Sequence, residues 1–176
     1  MKFISTPKVT ILFALLIFFS PLSFSSDKDA LIAQARKAAP SMVSRDATVM
    51  YRGEVLVKGS NDWICMPEVM PDDKAAMCND ATWMEMMQAV GNKAPFTASK
   101  VGFSYMLQGD GGVSNSDPYH PDPKNAKDFI KEGPHLMLIL PKEMLKGITD
   151  NPHAGGPYVM WKNTPYAHIM IPLEDR

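Results

Sequence analysis

One polar segment, residues 108–123, sets the strongest limit on how this chain can fold. It is rich in Gly, Pro, Asp, Asn and Ser, a composition that suits neither a helix nor a central strand. Connections of this length in compact domains usually bind a ligand or lack order. The sequence therefore predicts regular elements on both sides of a long functional loop, which we call the polar segment.

The N-terminus is typical of an export signal. Two lysines accompany a short apolar run, residues 9–19, and Ser23 and Ser25 stand at the −3 and −1 positions of a cleavage site. The apolar run is about half as long as a membrane span requires. We therefore expect residues 1–25 to be a signal peptide and residues 26–176 to be one domain, periplasmic or secreted, with no stable membrane anchor.

The charge of the chain disfavours two classes of partner. Lysine and arginine number 18 against 19 aspartate and glutamate, which gives a formal net charge of −1 at pH 7. No stretch concentrates the basic residues, so the sequence does not favour nucleic acid or an anionic membrane surface. The expected partner is a small molecule or another protein.

Cys65 and Cys78 are the two cysteines of the chain. Their spacing fits neither a Cys-x-x-Cys redox motif nor a zinc ribbon. In an oxidising compartment, an isolated pair is most simply a structural disulfide. The sequence therefore predicts a Cys65–Cys78 bridge.

Short hydrophobic stretches separated by turn residues indicate an α+β domain. Helices are predicted from residue 26 to about residue 37, from Asn79 or Asp80 to about Val90, and after Asp122 with Pro123 in its first turn. In the second helix Thr82 is expected on the solvent side and Trp83 and Met86 on the buried side, and in the third Phe129 and Ile130 are expected to face inward. Strands are predicted at 47–51, 54–58, 62–66, 101–107, 135–140, 158–161 and 166–171. No regular strand–helix alternation demands a parallel sheet. We expect a single domain with a mainly antiparallel sheet of about five to seven short strands and about three or four helices.

Four short motifs stand out together. They are Gly-Pro-His-Leu-Met at 133–137, Gly-Gly-Pro-Tyr-Val-Met-Trp at 155–161, Thr-Pro-Tyr-Ala-His at 164–168 and Ser-Asp-Pro at 116–118. Together they resemble a family of uncharacterised exported bacterial proteins, over most of the chain after residue 25. The resemblance implies export and a single domain. It implies no reaction or ligand, so no catalytic residue is carried over.

The leading hypothesis is a non-catalytic ligand-binding or accessory protein, because no catalytic motif is present. The polar segment and a second Gly/Pro/His loop, 150–157, are predicted to form one binding surface beside an aromatic cleft. Its predicted residues are Asp110, Asn115, Asp117, Tyr119, His120, His153, Tyr158, Trp161 and Tyr166.

Copper binding is the first alternative. Residues two apart in a strand share a face, so His135 with Met137, and His168 with Met170, form two His-x-Met pairs. If the two strands are neighbours, two imidazoles and two thioethers would converge in a set that suits Cu(I). The competing interpretation is that the methionines, 14 in the chain, fill an irregular core.

Two further alternatives use the polar segment. Calcium would need oxygen donors, here Asp110, Asn115, Asp117 and Asp122, but their spacing is not that of an EF-hand and these residues also suit turns. A small hydrolase would need a nucleophile, an acid and a base, here drawn from Ser114, Ser116, Asp117, His120 and His153. None of these serines lies in a nucleophile elbow.

Overall fold

The structure, a computed structural model, describes residues 22–70 and 73–174. The predicted signal peptide falls largely on residues 1–21, which lie outside that description, so it stays a prediction. The first described helix, Leu22–Arg36, begins before the predicted cleavage site after Ser25 and continues through it. No helix in the described ranges is long and apolar enough to cross a membrane.

Ten strands and three α-helices are present in the described part of the chain. The strands are β1 (Thr48–Tyr51), β2 (Glu54–Val57), β3 (Ile64–Met66), β4 (Met77–Asn79), β5 (Gly102–Met106), β6 (Val113–Ser114), β7 (Phe129–Ile130), β8 (His135–Ile139), β9 (Tyr158–Met160) and β10 (His168–Pro172). The helices are α1 (Leu22–Arg36), α2 (Ser41–Ser44) and α3 (Ala81–Gly91), with 3-10 turns at Pro123–Asn125 and Lys142–Leu145.

Eight of these strands form one mixed sheet in the order β2-β1-β3-β4-β5-β8-β10-β9. The β1–β3 pair is parallel and the other described pairs of this sheet are antiparallel. Strands β6 and β7 form a separate two-stranded sheet. The predicted α+β class is confirmed, but five to seven strands was too low for the main sheet.

The prediction of a helix after Asp122 is wrong. Its start is a 3-10 turn of three residues, and Phe129 and Ile130, predicted to face inward from a helix, lie in β7. Asp122 makes no side-chain cap to a backbone N–H, because its Oδ2 accepts from the Asn125 amide at 2.7 Å. Pairing of β7 with β6 therefore outweighs the local helix signal.

Side chains alternate along each strand, so the main sheet has two different faces. One face packs against α3 and is rich in sulfur; it carries Met77, Met106, Met137, Met160 and Met170, with Trp83 and Met86 of α3 against them. The opposite face is covered by α1 at one end and by the chain after β8 at the other. The two faces thus separate the methionines from the disulfide.

Cys65 of β3 and Cys78 of β4 lie directly opposite each other and form the predicted disulfide. Both are fully buried in the cluster beneath α1. The bridge encloses residues 66–77. Near the end of this segment, Ala75 and Met77 pack on the methionine-rich face.

Helix α3 follows the prediction closely, with one correction. Its buried residues include Trp83 and Met86, as expected, but also Thr82, which was predicted to face solvent. Thr82 packs against β5 at Gly102, where a side chain would approach Thr82 to 3.0 Å. The absence of a side chain on that glycine allows the close helix–sheet contact.

Replacing Asp80 with Ala is expected to lower the free energy of unfolding by about 2 kcal/mol, the upper end of N-cap losses. Asp80 Oδ1 accepts from the N–H of Trp83 at 2.8 Å, and its Oδ2 accepts from that of Phe103 at 2.8 Å, so one side chain caps α3 and ties it to β5. Urea denaturation measures the loss. Asp122→Ala, which removes no backbone cap, is the matched control, and equal losses in the two variants would contradict the assignment.

Candidate functional site

A cavity of about 250 Å³ lies between α3 and the methionine-rich face of the sheet. We call it the methionine cavity, because eight methionines line it: Met70, Met77, Met86, Met87, Met106, Met137, Met160 and Met170. Two tryptophans, Trp83 and Trp161, complete much of the wall. Mostly apolar walls with a few polar groups are the usual composition of a small-ligand pocket.

The polar segment forms part of the roof, since residues 110–113 line the cavity. Asp110 fixes the start of this roof: its Oδ1 accepts from the N–H groups of Gly112 and Glu132, each at 3.0 Å. Gly112 has a φ of +84°, and a side chain there would overlap the ring of Phe129. Glycine is therefore needed for the roof to close against β7.

A polar cleft of about 490 Å³ adjoins the methionine cavity, and Asp73, Ala75 and Asp110 line both. Burial raises the pKa of the Asp110 carboxyl, while attraction to His135 acts in the opposite direction. The cleft and the cavity thus share a carboxyl group that is partly removed from water.

The two loops predicted to form one surface are in contact. Asn115 Nδ2 donates to the main-chain oxygen of Asp150 at 2.9 Å. The main-chain N–H of Trp161 donates to the main-chain oxygen of Asn115 at 2.8 Å, and its indole Nε1–H donates to the main-chain oxygen of Ser114 at 3.0 Å. These bonds hold the polar segment against the start of the 150–157 loop and orient Trp161 at the cavity.

Tyr119 and Tyr166 connect the polar segment to the end of α3. Their hydroxyl oxygens are 2.9 Å apart; that of Tyr119 is 2.9 Å from the Val90 carbonyl, and that of Tyr166 is 2.7 Å from the Ala94 carbonyl. Tyr166 is buried and Tyr119 is partly exposed, and neither is among the described lining residues of the cavity, so their hydroxyls tie the polar segment to α3.

Four other predicted binding residues lie away from the cavity. Asp117 Oδ1 accepts a hydrogen bond from the N–H of Tyr119 at 2.8 Å, and His120 Nδ1 accepts one from the N–H of Asp122 at 3.2 Å. Such bonds to the backbone two residues later are typical of turns. His153 is exposed, and its N–H donates to Asn151 Oδ1. Tyr158 is fully buried, which contradicts its predicted place on a surface cleft.

The residues proposed for a hydrolase do not assemble. Ser114 is buried and its hydroxyl donates to Asp128 Oδ1 at 2.9 Å, while the Ser116 N–H donates to Asp128 Oδ2 at 2.8 Å. Hydrogen bonds from Ser116 and Ser114 hold the pKa of Asp128 below its usual value. Among residues 22–70 and 73–174, no serine hydroxyl is bonded to a histidine ring. The Ser114 hydroxyl, at the end of β6, is therefore engaged in structural hydrogen bonds.

The oxygen donors proposed for calcium are also engaged locally. Asp110, Asp117 and Asp122 each accept hydrogen bonds within or beside the polar segment, and the Asn115 amide donates to Asp150. Over the described ranges, no group of three His, Cys, Asp or Glu side chains is placed to hold a metal ion.

His168 is the imidazole that lines the methionine cavity. Its Nδ1 lies 2.9 Å from the Tyr166 carbonyl, which only accepts, so the proton is on Nδ1 and the lone pair is on Nε2. The rings of Trp83 and Trp161 flank it edge-on, with centroids 5.2 and 5.1 Å away. Burial lowers the pKa of His168 to about 4, so the ring is neutral at neutral pH.

The two predicted His-x-Met pairs lie on neighbouring strands, but they do not converge completely. His168, Met170 and Met137 line the cavity, whereas His135 is not among the described lining residues. Met137 and Met170 are directly opposite each other in the β8–β10 ladder. His135 is opposite Pro172 at one end of the ladder, whereas His168 lies past its other end and pairs with Met160 of β9. The two imidazoles are therefore kept apart by the register.

The sequence did not single out Met160 as a site residue. Its signal was present, because the strand predicted at 158–161 would place Tyr158 and Met160 on one face. What the sequence lacked was the order of the strands, which brings β9 next to β10.

The methionine cavity thus offers thioether sulfurs, two indole rings and one unprotonated imidazole nitrogen, with Asp73 and Asp110 toward the cleft. This arrangement can surround an apolar molecule or supply soft donor atoms, but it presents no activated nucleophile. Comparison of the chain with models of protein families, with curated proteins and with solved structures finds no match.

Proposed function

We propose that this chain is an exported, non-catalytic binding protein whose ligand occupies the methionine cavity. The observation that carries the proposal is the cavity itself: about 250 Å³ of space lined mainly by methionine and tryptophan, beneath a roof that bonds to several neighbouring elements. The predicted loops then act mainly as cover and support, through Asp110 and through the hydrogen bonds that link Asn115 to Asp150 and to Trp161 after β9.

Export is supported by three independent features. The N-terminal pattern is that of a signal peptide, and four motifs resemble exported bacterial proteins. The buried Cys65–Cys78 bridge is typical of proteins from an oxidising compartment.

An apolar heavy-atom quencher, bromoform, is expected to bind in the cavity and quench tryptophan fluorescence with a saturable curve. The Trp63→Phe variant is the appropriate background, because Trp63 packs against Tyr105 outside the cavity, while Trp83 and Trp161 line it. Ala75→Leu adds volume at the junction of cavity and cleft, so it should weaken binding about tenfold, equivalent to about 1.4 kcal/mol.

The control for added volume is Ala154→Leu, at an exposed position in the second loop. It should leave the quenching curve unchanged. Purely collisional, non-saturating quenching in the Trp63→Phe protein would show that the cavity does not admit a ligand, and the proposal would be abandoned.

A further inference from the structure

The unused lone pair of His168 is the most specific chemical feature of the cavity. The ring is 2 % exposed, lines the cavity and spends its only N–H on the Tyr166 carbonyl. In a metal-binding imidazole, the N–H of the other ring nitrogen characteristically donates a hydrogen bond to such a carbonyl, which fixes the tautomer and the ring orientation. His168 is therefore already arranged as a ligand through Nε2.

The register of the sheet places three methionines on the same face as His168, one on its own strand and one on each flanking strand. Met160 is directly opposite His168 on β9, Met170 is two residues further along β10 on the same face, and Met137 is opposite Met170 on β8. All three line the cavity. Directly opposite residues have Cβ atoms about 5 Å apart, so flexible methionine side chains can bring sulfur to a common point.

The charge of the wall favours a cation. Among the described lining residues there is no lysine or arginine, and the acidic groups are Asp73 and Asp110. Thioether sulfur and neutral imidazole form a soft donor set, which suits Cu(I) and its larger analogue Ag(I) much better than Zn²⁺, Mg²⁺ or Ca²⁺. The indole rings of Trp83 and Trp161 flank His168 at this part of the wall.

We infer that His168 Nε2 and the sulfurs of Met137, Met160 and Met170 bind one soft monovalent metal ion, with Cu(I) as the biological candidate. This inference rests on the proposed function, because it identifies the ligand of the same cavity. It differs from the two His-x-Met pairs expected from the sequence, since Met160 takes the place of His135.

The test is anaerobic titration of the full chain with Ag(I), and with Cu(I) supplied as its acetonitrile complex, in competition with a Cu(I) chelator. Native mass spectrometry should show one tightly bound ion per chain, and X-ray absorption should show sulfur with one nitrogen. His168→Phe keeps a ring in the space and should weaken metal binding more than about tenfold. The loss of a ligand should cost at least as much as the loss of a residue that only supports a ligand.

A second variant guards against misfolding of the first. Met137→Leu/Met160→Leu/Met170→Leu removes three sulfurs while nearly preserving volume, and it should also weaken binding more than about tenfold. Met144→Leu, at an exposed methionine, should bind as wild type does. Unchanged affinity for Cu(I) and Ag(I) in the triple variant would overturn the inference. So would a wild-type affinity for these ions no higher than that of a small thioether compound in solution.

Bromoform binding measured on the same preparations separates the two proposals. Saturable bromoform binding without Cu(I) or Ag(I) binding would overturn the metal inference and leave a cavity for apolar organic ligands. Failure of both measurements would remove the proposed function as well.

Discussion

Replacing both Cys65 and Cys78 with Ala is expected to lower the free energy of unfolding by about 3 kcal/mol, the loss estimated for opening a loop of this size. The bridge has a sequence separation of 13 and joins opposite positions of β3 and β4. Its removal leaves the unfolded chain with more conformations, while the folded chain loses a buried link between two central strands. Urea denaturation at neutral pH measures the change.

The wild-type protein treated with a reductant provides the control. It should lose a similar amount of stability, whereas the cysteine-free variant should not respond to the reductant. The slope of unfolding free energy against urea should rise in the variant, since its unfolded chain exposes more surface. A loss below about 1 kcal/mol, smaller than native disulfides usually contribute, would contradict the expectation.

The metal-free protein is expected to lose about 3 kcal/mol of stability through His168 as the pH falls from about 6.5 to about 4. Burial lowers the pKa of His168 in the folded state from 6.5 to about 4. Between these values the unfolded chain binds the proton and the folded chain does not, so acid favours unfolding. The contribution is present in full above pH 6.5 and is lost as the pH approaches 4.

Urea denaturation at several pH values should therefore show a difference between wild type and His168→Phe. The free energy of unfolding of the variant should fall less steeply between about pH 6.5 and about pH 4. His153→Phe, at an exposed histidine, should keep the wild-type slope. Asp128 and Asp150 have lowered pKa values, so their contributions are lost below about pH 4 and outside the window. The raised pKa of Asp110 acts in the opposite direction, but all three proteins share it. Identical slopes in wild type and His168→Phe would contradict the assignment.

Elements with strong local signals were predictable from the sequence. Helix α3 combines a helical apolar pattern with the Asp80 cap and ends at Gly91. The β1–β2 hairpin turns at Arg52 and Gly53, which have φ values of 48° and 84°, as its tight turn requires. In both cases the residues that decide the structure are neighbours in sequence.

The site depended on information that local patterns do not carry. Alternation correctly placed His135 with Met137 and His168 with Met170, but only the register shows that His135 is opposite Pro172. The same holds for β7, because Ile130 pairs with Val113, far away in sequence. Short apolar runs are compatible with helix or strand until such a partner is known.

The pairing of β5 with β8 has a consequence for how such a protein can change. Met106 and His135 are opposite each other at the ends of these strands, so a two-residue hairpin turn in place of residues 107–134 would suffice to join them. The cover of the cavity is thus an excursion inserted into a two-strand unit whose ends already meet. The length and sequence of that excursion can therefore change without shifting the alignment of the two strands below it.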